Sequence, residues 1–405
     1  MSSTDTNTKE PDPQIVIDAV SGSISKKYYV IATLHLICKI PSIYLLWKQA
    51  CAFRKKKFPK VLMDMFMLIW RYHGILVMFH GINCFIEEYF AERLHEVGHT
   101  IENYMLAQEV ADIFWVSSSH DIANIRKIDN KISGYNFLTK HNLPTTTRYG
   151  MIYVKGENVI WEDQQKNVLS VNDLLNKYRK VFTKPEDECV GRGCAILEKG
   201  LSGGILFNAT EIGERELAKY LKKPQLIEEI VEQTSECASW HPQSLNTLRI
   251  ITMRNPKTRE LYVDRAIFRL GTGSSHTDNW CSGGIGVKVN ANGKLDKYGY
   301  YSNPAIPPAT MHPDSNKIFE NAELPYYNEA VELVLRAHRI IRRINGIGWD
   351  VAFTKRGPII VEINPFFSIF QAQCGGIRKK VYEDYLPQAI KNASRWAELE
   401  SMLKK

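Results

Sequence analysis

The sequence has no C-x-x-C pair and no Cys/His group at zinc-ligand spacing, although it holds eight cysteines, at positions 38, 51, 84, 189, 194, 237, 281 and 374. A structural zinc module is therefore excluded, and the cysteines read as free thiols. No secretory leader is legible in the polar, acidic first residues, so a reducing, cytoplasmic location is expected. Uninterrupted apolar runs of the roughly 20 residues needed for a membrane crossing are also missing. Residues 29–47 are broken by Lys39 and Pro41, and residues 61–82 by Asp64, Arg71, His73 and His80. Buried or surface-lying helices are the expected reading there, and membrane association through residues 26–90 is the lesser one.

Charge of one sign is not in large excess either. The net charge of +8 arises from 52 Lys and Arg against 44 Asp and Glu, scattered apart from the run Arg54-Lys55-Lys56-Lys57. Nucleic acid is thus not an expected partner, whereas a mildly basic cleft suits small anionic substrates. There is no internal repeat, no low-complexity segment, no Walker A loop and no dinucleotide fingerprint. No Ser/His/Asp or Cys/His arrangement stands out, so covalent catalysis by a protein nucleophile is not expected.

What is present is an average globular chain of 405 residues, 44% hydrophobic and 24% charged, long enough for about two or three compact units. Residues 1–25 are polar and read as a mobile segment. Residues 26–125 carry Leu, Met, Phe and Trp at mixed three and four spacing and read as a helical region. Beyond about residue 140 short β runs alternate with Gly, Asn and Pro, with helices near 171–180, 211–222 and 326–345, which makes an α+β domain.

The densest chemistry lies in Gly348-Trp-Asp-Val-Ala-Phe-Thr-Lys-Arg-Gly-Pro-Ile-Ile-Val-Glu-Ile-Asn364, a strand, a tight turn and a strand. A turn centred on Arg356 sets Asp350 opposite Glu362, with Cβ atoms about 5 Å apart. Glu362 and Asn364 then share one strand face, while Ile359, Val361 and Ile363 take the other. Opposed carboxylates need a cation between them, and Mg²⁺, which prefers hard oxygen ligands, is the expected one.

Upstream, Val181-Phe-Thr-Lys-Pro185 and Val190-Gly-Arg-Gly-Cys-Ala-Ile-Leu197 put Lys184 at a strand end ahead of a glycine loop able to bend over phosphates. Gln225-Leu-Ile-Glu-Glu-Ile-Val-Glu-Gln233 is a strand whose edge could meet an adenine. Ser244-Leu-Asn-Thr-Leu-Arg-Ile-Ile251 and Tyr262-Val-Asp-Arg-Ala-Ile-Phe-Arg269 are alternating strands, the second placing Arg265 and Arg269 on one face as an anion clamp. A flexible loop, Gly271-Thr-Gly-Ser-Ser, follows and runs to Asp278-Asn-Trp-Cys-Ser-Gly-Gly-Ile285.

Lysine, glycine loop, acidic strand, arginine strand, Asn-bearing loop and finally Asp…Glu-x-Asn is an order that resembles the ATP-grasp superfamily. Asp278-Asn279 with Gly283-Gly284-Ile285, and the helical region ahead of Asp129-Asn-Lys131, look more narrowly like the sugar-transfer associated ATP-grasp family. The resemblance implies an ATP-grasp fold, two α+β subdomains clasping ATP, over residues 126–395, with a lid subdomain at about 178–235 and the all-helical region in front. It implies Lys131 and Lys184 on phosphates, Gly191, Arg192 and Gly193 as the lid loop, and Glu228, Glu229 and Val231 at the nucleotide. The ribose-binding acid falls at Ser235 or Glu236, of which only Glu236 is an acid. Asp350, Glu362 and Asn364 would hold two Mg²⁺ ions, a role open to Mn²⁺ as well, and Arg269, Asn279 and Arg249 would serve the reacting phosphate. After Asn364 many relatives have a Pro-Gly turn, where this chain has Pro365-Phe-Phe-Ser.

The implied activity is ATP-dependent ligation of a small carboxylate to an amine through an acyl phosphate, on a sugar acid or peptide substrate in glycan or natural-product biosynthesis. A phosphotransferase on the same fold, and a nucleotide-binding partner of a glycan assembly complex without turnover, are the alternatives.

Overall fold

The computed structural model describes residues 26–50, 52, 54–71, 75–101, 125, 128–186, 193–201, 203–303, 305–365, 367 and 384–385. The polar segment expected at 1–25 and the last part of the expected helical region, 102–124, lie outside the described residues.

Four helices open the chain: α1 (Lys26–Cys38), α2 (Ile40–Gln49), α3 (Phe58–Arg71) and α4 (Ile75–Ala91). They gather around their own core, in which Ala32, Leu36, Val61, Met65, Phe85 and Tyr89 are all but sealed from solvent. The one acid of α3, Asp64, is buried there and answered by Lys56 at 2.7 Å and Lys60 at 3.0 Å. No single helix among the described residues is long and apolar enough to cross a membrane; α1 and α2 together reach that composition, but they are bent by 61° at their junction.

Two antiparallel sheets follow. The first has eight strands, β1 (Arg148–Lys155), β2 (Asn158–Asp163), β3 (Val168–Ser170), β4 (Lys180–Pro185), β5 (Ala195–Lys199), β6 (Ile205–Phe207), β7 (Thr210–Ile212) and β8 (Gln225–Glu228). Their order is β3-β2-β1-β8-β4-β5-β6-β7, so β8 returns to lie between β1 and β4. Helices α6 (Val171–Tyr178) and α7 (Glu214–Tyr220) bury Leu174, Leu175 and Leu217 against this sheet. The start of α6 is fixed by a capping box, in which the Asp173 N–H donates to Ser170 Oγ and the Asp173 carboxylate accepts from the Ser170 N–H. In β1, Gly150 sits at a register shift with φ of 149°, where an added Cβ would lie 2.0 Å from the Glu162 carbonyl oxygen. Only glycine fits there.

The second sheet has six strands, β9 (Thr247–Arg254), β10 (Leu261–Leu270), β11 (Ile285–Val289), β12 (Leu295–Tyr301), β13 (Gly346–Thr354) and β14 (Gly357–Asn364), in the order β12-β11-β10-β9-β13-β14. Its two faces differ in chemistry, as period-two alternation requires. Leu248, Ile250, Ala266, Phe268, Trp349, Val351, Ile360 and Ile363 face the main core, onto which α9 (Tyr327–Ile340) lays Ala330, Leu333, Val334 and Ala337 at helical spacing. The opposite face carries the charged residues described below. A helix, α5 (Lys131–Lys140), precedes the first sheet, and a single turn, α8 (Ser235–Ala238), precedes β9.

Connecting segments tie the sheets together along β14 and β13. Thr145 Oγ1 donates to the Ile360 carbonyl at 2.8 Å, the Ile360 N–H donates to the Pro144 carbonyl at 2.9 Å, and the Thr234 N–H donates to the Phe353 carbonyl at 2.8 Å.

Candidate active site

The β13–β14 hairpin turns through Lys355 and Arg356, since Thr354 pairs with Gly357. That is half a residue away from the centre expected from the sequence, yet Asp350 still faces Glu362. A bulge supplies the difference: Val351 pairs with Ile360, so Val361 has no partner and the strand steps by one. The expectation that Ile359 and Val361 share the core face with Ile363 is thereby corrected. Ile360 and Ile363 enter the main core, and Val361 is only partly buried, beside Glu362 on the cleft side.

A row of side chains crosses the sheet on its charged face: Ile267 of β10, Arg249 of β9, Asp350 of β13 and Glu362 of β14 are successive cross-strand partners. Asn364 lies one step along β14, opposite Gly348, and its amide nitrogen is 3.5 Å from Asp350 Oδ2. Arg269 lies one step along β10, opposite Thr247. Asp350 is paired with two guanidiniums, which come from β9 and β10 on its side away from Glu362. Arg249 Nε donates to Asp350 Oδ1 and its Nη2 to Oδ2 at 3.0 Å, and Arg269 Nη2 reaches the same Oδ2 at 3.0 Å. Burial alone would raise the Asp350 carboxyl, but the two arginines outweigh it and bring it down to about 2. For Arg269, burial opposes the charge, while Asp278, Asp350 and Glu362 together hold it protonated above the usual arginine value.

One residue of this cluster, Asp278, escaped sequence reasoning. Asp278 accepts from the Thr247 N–H at 3.0 Å and from Thr247 Oγ1, and lies 3.4 Å from Arg269 Nε. Arg269 in turn donates to Thr247 Oγ1, at 2.8 Å from Nη2 and 3.2 Å from Nε. Asp278 thus shares with Asp350 the task of aiming Arg269. Its place in the Asp278-Asn279 loop was visible, but a contact spanning 31 residues was not. Arg265, expected to pair with Arg269, is on the same strand face four residues away and only partly buried.

Beside the row, a cleft opens between α5, the β4–β8 pair and β14, lined by Ile128, Asp129, Lys131, Gly134, Tyr135, Leu138, Thr145, Thr146, Lys184, Glu228, Val361, Glu362 and Ile363. Lys131 stands in the first turn of α5, whose start is capped by Asn130 Oδ1 accepting from the Ile132 and Ser133 N–H groups, both at 3.0 Å. From there its Nζ comes within 3.9 Å of Glu362. Lys184 and Glu228 are both buried and pair at 2.9 Å. Arg148, also missed from the sequence, donates to the Lys131 carbonyl at 3.2 Å and lies 4.0 Å from the Tyr135 ring centroid, bracing the base of α5. Cys194, near Lys184, is pushed up to about 11 by burial, which leaves it a thiol and no nucleophile at neutral pH.

Lys131, Lys184, Glu228 and Glu362 thus come together around the cleft, with Arg249, Arg269, Asp350 and Asn364 on the adjoining sheet face. Of the other expected positions, those that are described do not line this cleft. Glu229 holds the connecting segments instead, accepting from the Thr147 N–H at 2.9 Å and from Arg356 at 3.0 Å. Val231 is outside the cleft lining. Glu236 is exposed in α8, its carboxylate held by Ser235 Oγ at 3.2 Å, and likewise does not line the cleft. Asn279 spends its side-chain oxygen on the Cys281 N–H at 2.9 Å, capping the short turn Trp280–Ser282. Gly193 adopts φ of 72°, and a Cβ there would meet Pro185 at 2.9 Å; Gly191 and Arg192 lie outside the described residues.

As a place for Mg²⁺, the face offers hard oxygen donors from Glu362 and Asn364, and the Glu362 carboxylate is about one-third exposed. Asp350 has both oxygens on guanidiniums, so it becomes available only as an arginine turns to another anion. Among the described residues no three His, Cys, Asp or Glu side chains are grouped to hold a metal on their own. The donor set fits a metal that arrives with phosphate oxygens.

The family model for the sugar-transfer associated ATP-grasp proteins matches residues 115–380. None of the curated proteins matches the chain. Similar solved structures include N5-carboxyaminoimidazole ribonucleotide synthetase from Thermotoga maritima, 15% identical over 59% of this chain and 42% of that one, with a TM-score of 0.30. D-alanyl-alanine synthetase A from Vibrio cholerae is 13% identical over 67% of this chain and 65% of its own, with a TM-score of 0.36. A D-cycloserine synthetase is 12% identical over 66% and 71%, with a TM-score of 0.36. The chain spans less than half the length of the first of these. Values this low say nothing of substrate or reaction.

Proposed function

Because the chain belongs to the sugar-transfer associated ATP-grasp family, we propose that it binds ATP in the cleft beside β14 and uses it to activate a small carboxylate as an acyl phosphate, which an amine then displaces. The observation that carries this reading is the cross-sheet row Arg249–Asp350–Glu362, flanked by Arg269 and Asn364 and opening onto a cleft with two lysines. The division into a helical region at 26–125 and an ATP-grasp domain at 126–395, with its lid at about 178–235, belongs to the same proposal.

Phosphoryl transfer asks little covalent chemistry of the protein; it asks for positioning and for charge against the developing negative oxygens. Lys131 and Lys184 stand where a triphosphate entering the cleft would meet them. Arg249 and Arg269 are aimed across the sheet face by Asp350, Asp278 and Thr247, so their planar forks are already oriented toward an anion. Glu362 and Asn364, with Asp350, would hold Mg²⁺, which when bound neutralises phosphate charge and polarises the transferred group. The substrate carboxylate attacks the γ-phosphorus, ADP leaves, and the amine nitrogen then takes the acyl carbon and releases phosphate. Among the described cysteines, Cys38, Cys194, Cys237 and Cys281 are all free, which supports a reducing compartment.

ADP release that requires both a carboxylate and an amine is the expected outcome. Hydroxylamine in place of the amine should give a hydroxamate; a stable phosphoester without hydroxamate would favour a phosphotransferase instead. Loss of turnover in Asp350→Asn and Glu362→Gln is expected, and unchanged turnover in both would overturn the assignment of the metal-holding face.

A further inference from the structure

The basic excess is not scattered after all. Residues 26–71 hold ten Lys and Arg against one acid, Asp64, a surplus larger than the +8 of the whole chain. That acid is buried and already answered by Lys56 and Lys60, so it offsets nothing at the surface. Arg54, Lys55, Lys57 and Lys60 are exposed at the head of α3, and Lys48 near the end of α2.

The same helices are apolar on two sides. Their inner faces fill the helical core through Ala32, Leu36, Val61, Met65 and Leu68. Their outer faces carry two further stripes at helical spacing, Val30, Leu34 and Ile37 on α1 and Met63, Met67 and Trp70 on α3, each residue about half exposed or more and Trp70 71% exposed. The Tyr29 and Trp70 rings lie 5.6 Å apart, so the stripe of α3 runs beside α1. Apolar side chains paired in this way, with a basic loop at one end, are costly to leave in water.

We propose that this face of the helical region docks on an anionic lipid surface, α1 and α3 lying in the headgroup layer with Trp70 and its neighbours inserted and the 54–57 loop on the lipid phosphates. Charge selects this occupant. A second copy would bring an equally basic face against it, and like charges oppose association. A crossing is also disfavoured, because the 61° bend between α1 and α2 interrupts the span and the inner stripe is committed to the core. The outer side of α3, with Met63, Met67 and Trp70 along it and Lys57 and Lys60 at its head, suits the interface plane.

Flotation of the full chain with vesicles of phosphatidylcholine alone, and with about 30% phosphatidylserine, at about 0.1 M and 0.5 M salt tests this. Binding to the anionic vesicles only, weakened at the higher salt, is expected. Arg54→Gln/Lys57→Gln should weaken it about 25-fold, near fivefold for each cation removed. Met67→Ser/Trp70→Ser should reduce binding at both salt concentrations. All variants should keep the wild-type helical circular dichroism, because the substituted side chains are exposed. No flotation with anionic vesicles would overturn the proposal. So would equal binding to phosphatidylcholine alone, binding indifferent to both variants, or a wild-type self-association that Met67→Ser/Trp70→Ser abolishes.

Discussion

Asp350→Asn separates charge from shape at the centre of the site. Asp350 is buried, and so are Arg249 and Arg269, which both donate to it. The amide keeps the volume and removes the charge, leaving two buried guanidiniums with Asp278 as the remaining buried acid beside them. Removing one partner of a buried ion pair costs about 3–5 kcal/mol. Arg249→Met should cost less, because Asp350 keeps Arg269. The double variant should fall short of the sum of the single losses by about 1–3 kcal/mol, since the residues share one network. The pH dependence carries a definite sign. Asp350 is held at about 2 in the folded chain, against about 3.9 for an unfolded aspartate. Its stabilisation, about 2–3 kcal/mol on that difference, is therefore full above pH 4 to 5 and disappears as pH falls toward 2, about half of it by pH 3. Asp278, raised by burial, works in the opposite sense, so only the gap between wild type and variant isolates Asp350. Urea unfolding of both proteins at pH 7 and pH 3 measures it. A variant within about 0.5 kcal/mol of wild type at pH 7, or a gap that does not narrow at pH 3, would refute the reading of the cluster as charge-held.

Lys184→Met strands Glu228 in a buried position and should cost about 3–5 kcal/mol in denaturant unfolding, whereas Lys184→Met/Glu228→Leu should recover most of it. His338, buried with Nδ1 at 2.7 Å from Thr252 Oγ1 and Nε2 at 2.9 Å from the Ile344 carbonyl, is lowered to about 3, chiefly by burial. Because its folded pKa is depressed, the chain should lose stability as pH falls below about 6.5 toward 3, and His338→Gln should flatten that part of a pH–stability profile. Gly150→Ala puts a Cβ onto the Glu162 carbonyl in a backbone conformation that L residues rarely adopt, and should lower unfolding stability by at least about 2 kcal/mol.

How far the sequence reached can be seen at single residues. The β13–β14 hairpin was legible because alternation and a Lys-Arg-Gly turn are local features, and the facing of Asp350 and Glu362 followed. The bulge at Val361 was not, because a single inserted residue leaves no mark in composition; it exchanged Ile360 for Ile359 and Val361 on the core face. Lys184 and Glu228 were each noticed in separate strands, but their pairing depends on β8 returning beside β4, which no local pattern encodes. Asp278 and Arg148 were missed for the same reason, since both act through partners distant in the chain. In the helical region the apolar runs were read correctly as helices. The gathering of ten Lys and Arg against a single acid in residues 26–71 emerged only when the burial of Asp64 showed that this acid offsets nothing at the surface.

The site is charge-balanced without a ligand. Lys131 faces Glu362, Lys184 faces Glu228, and Arg249 and Arg269 face Asp350 and Asp278. An incoming triphosphate can therefore gain these four cations only by taking them from carboxylates. Each carboxylate released in a buried place then needs a new cation, or it must take a proton or carry the cost of an unpaired charge. Asp350 and Glu362, opposed across the hairpin with Asn364 beside them, are the pair for which a divalent ion restores balance. ATP and Mg²⁺ should consequently bind with strong reciprocal coupling, each raising the affinity for the other by more than their association in solution accounts for. Titration of ATP by calorimetry with and without Mg²⁺ measures this coupling, and Glu362→Gln should reduce it, because one displaced charge no longer needs an answer. ATP affinity that is the same with and without Mg²⁺ would show that the arginines and lysines keep their carboxylates when nucleotide binds.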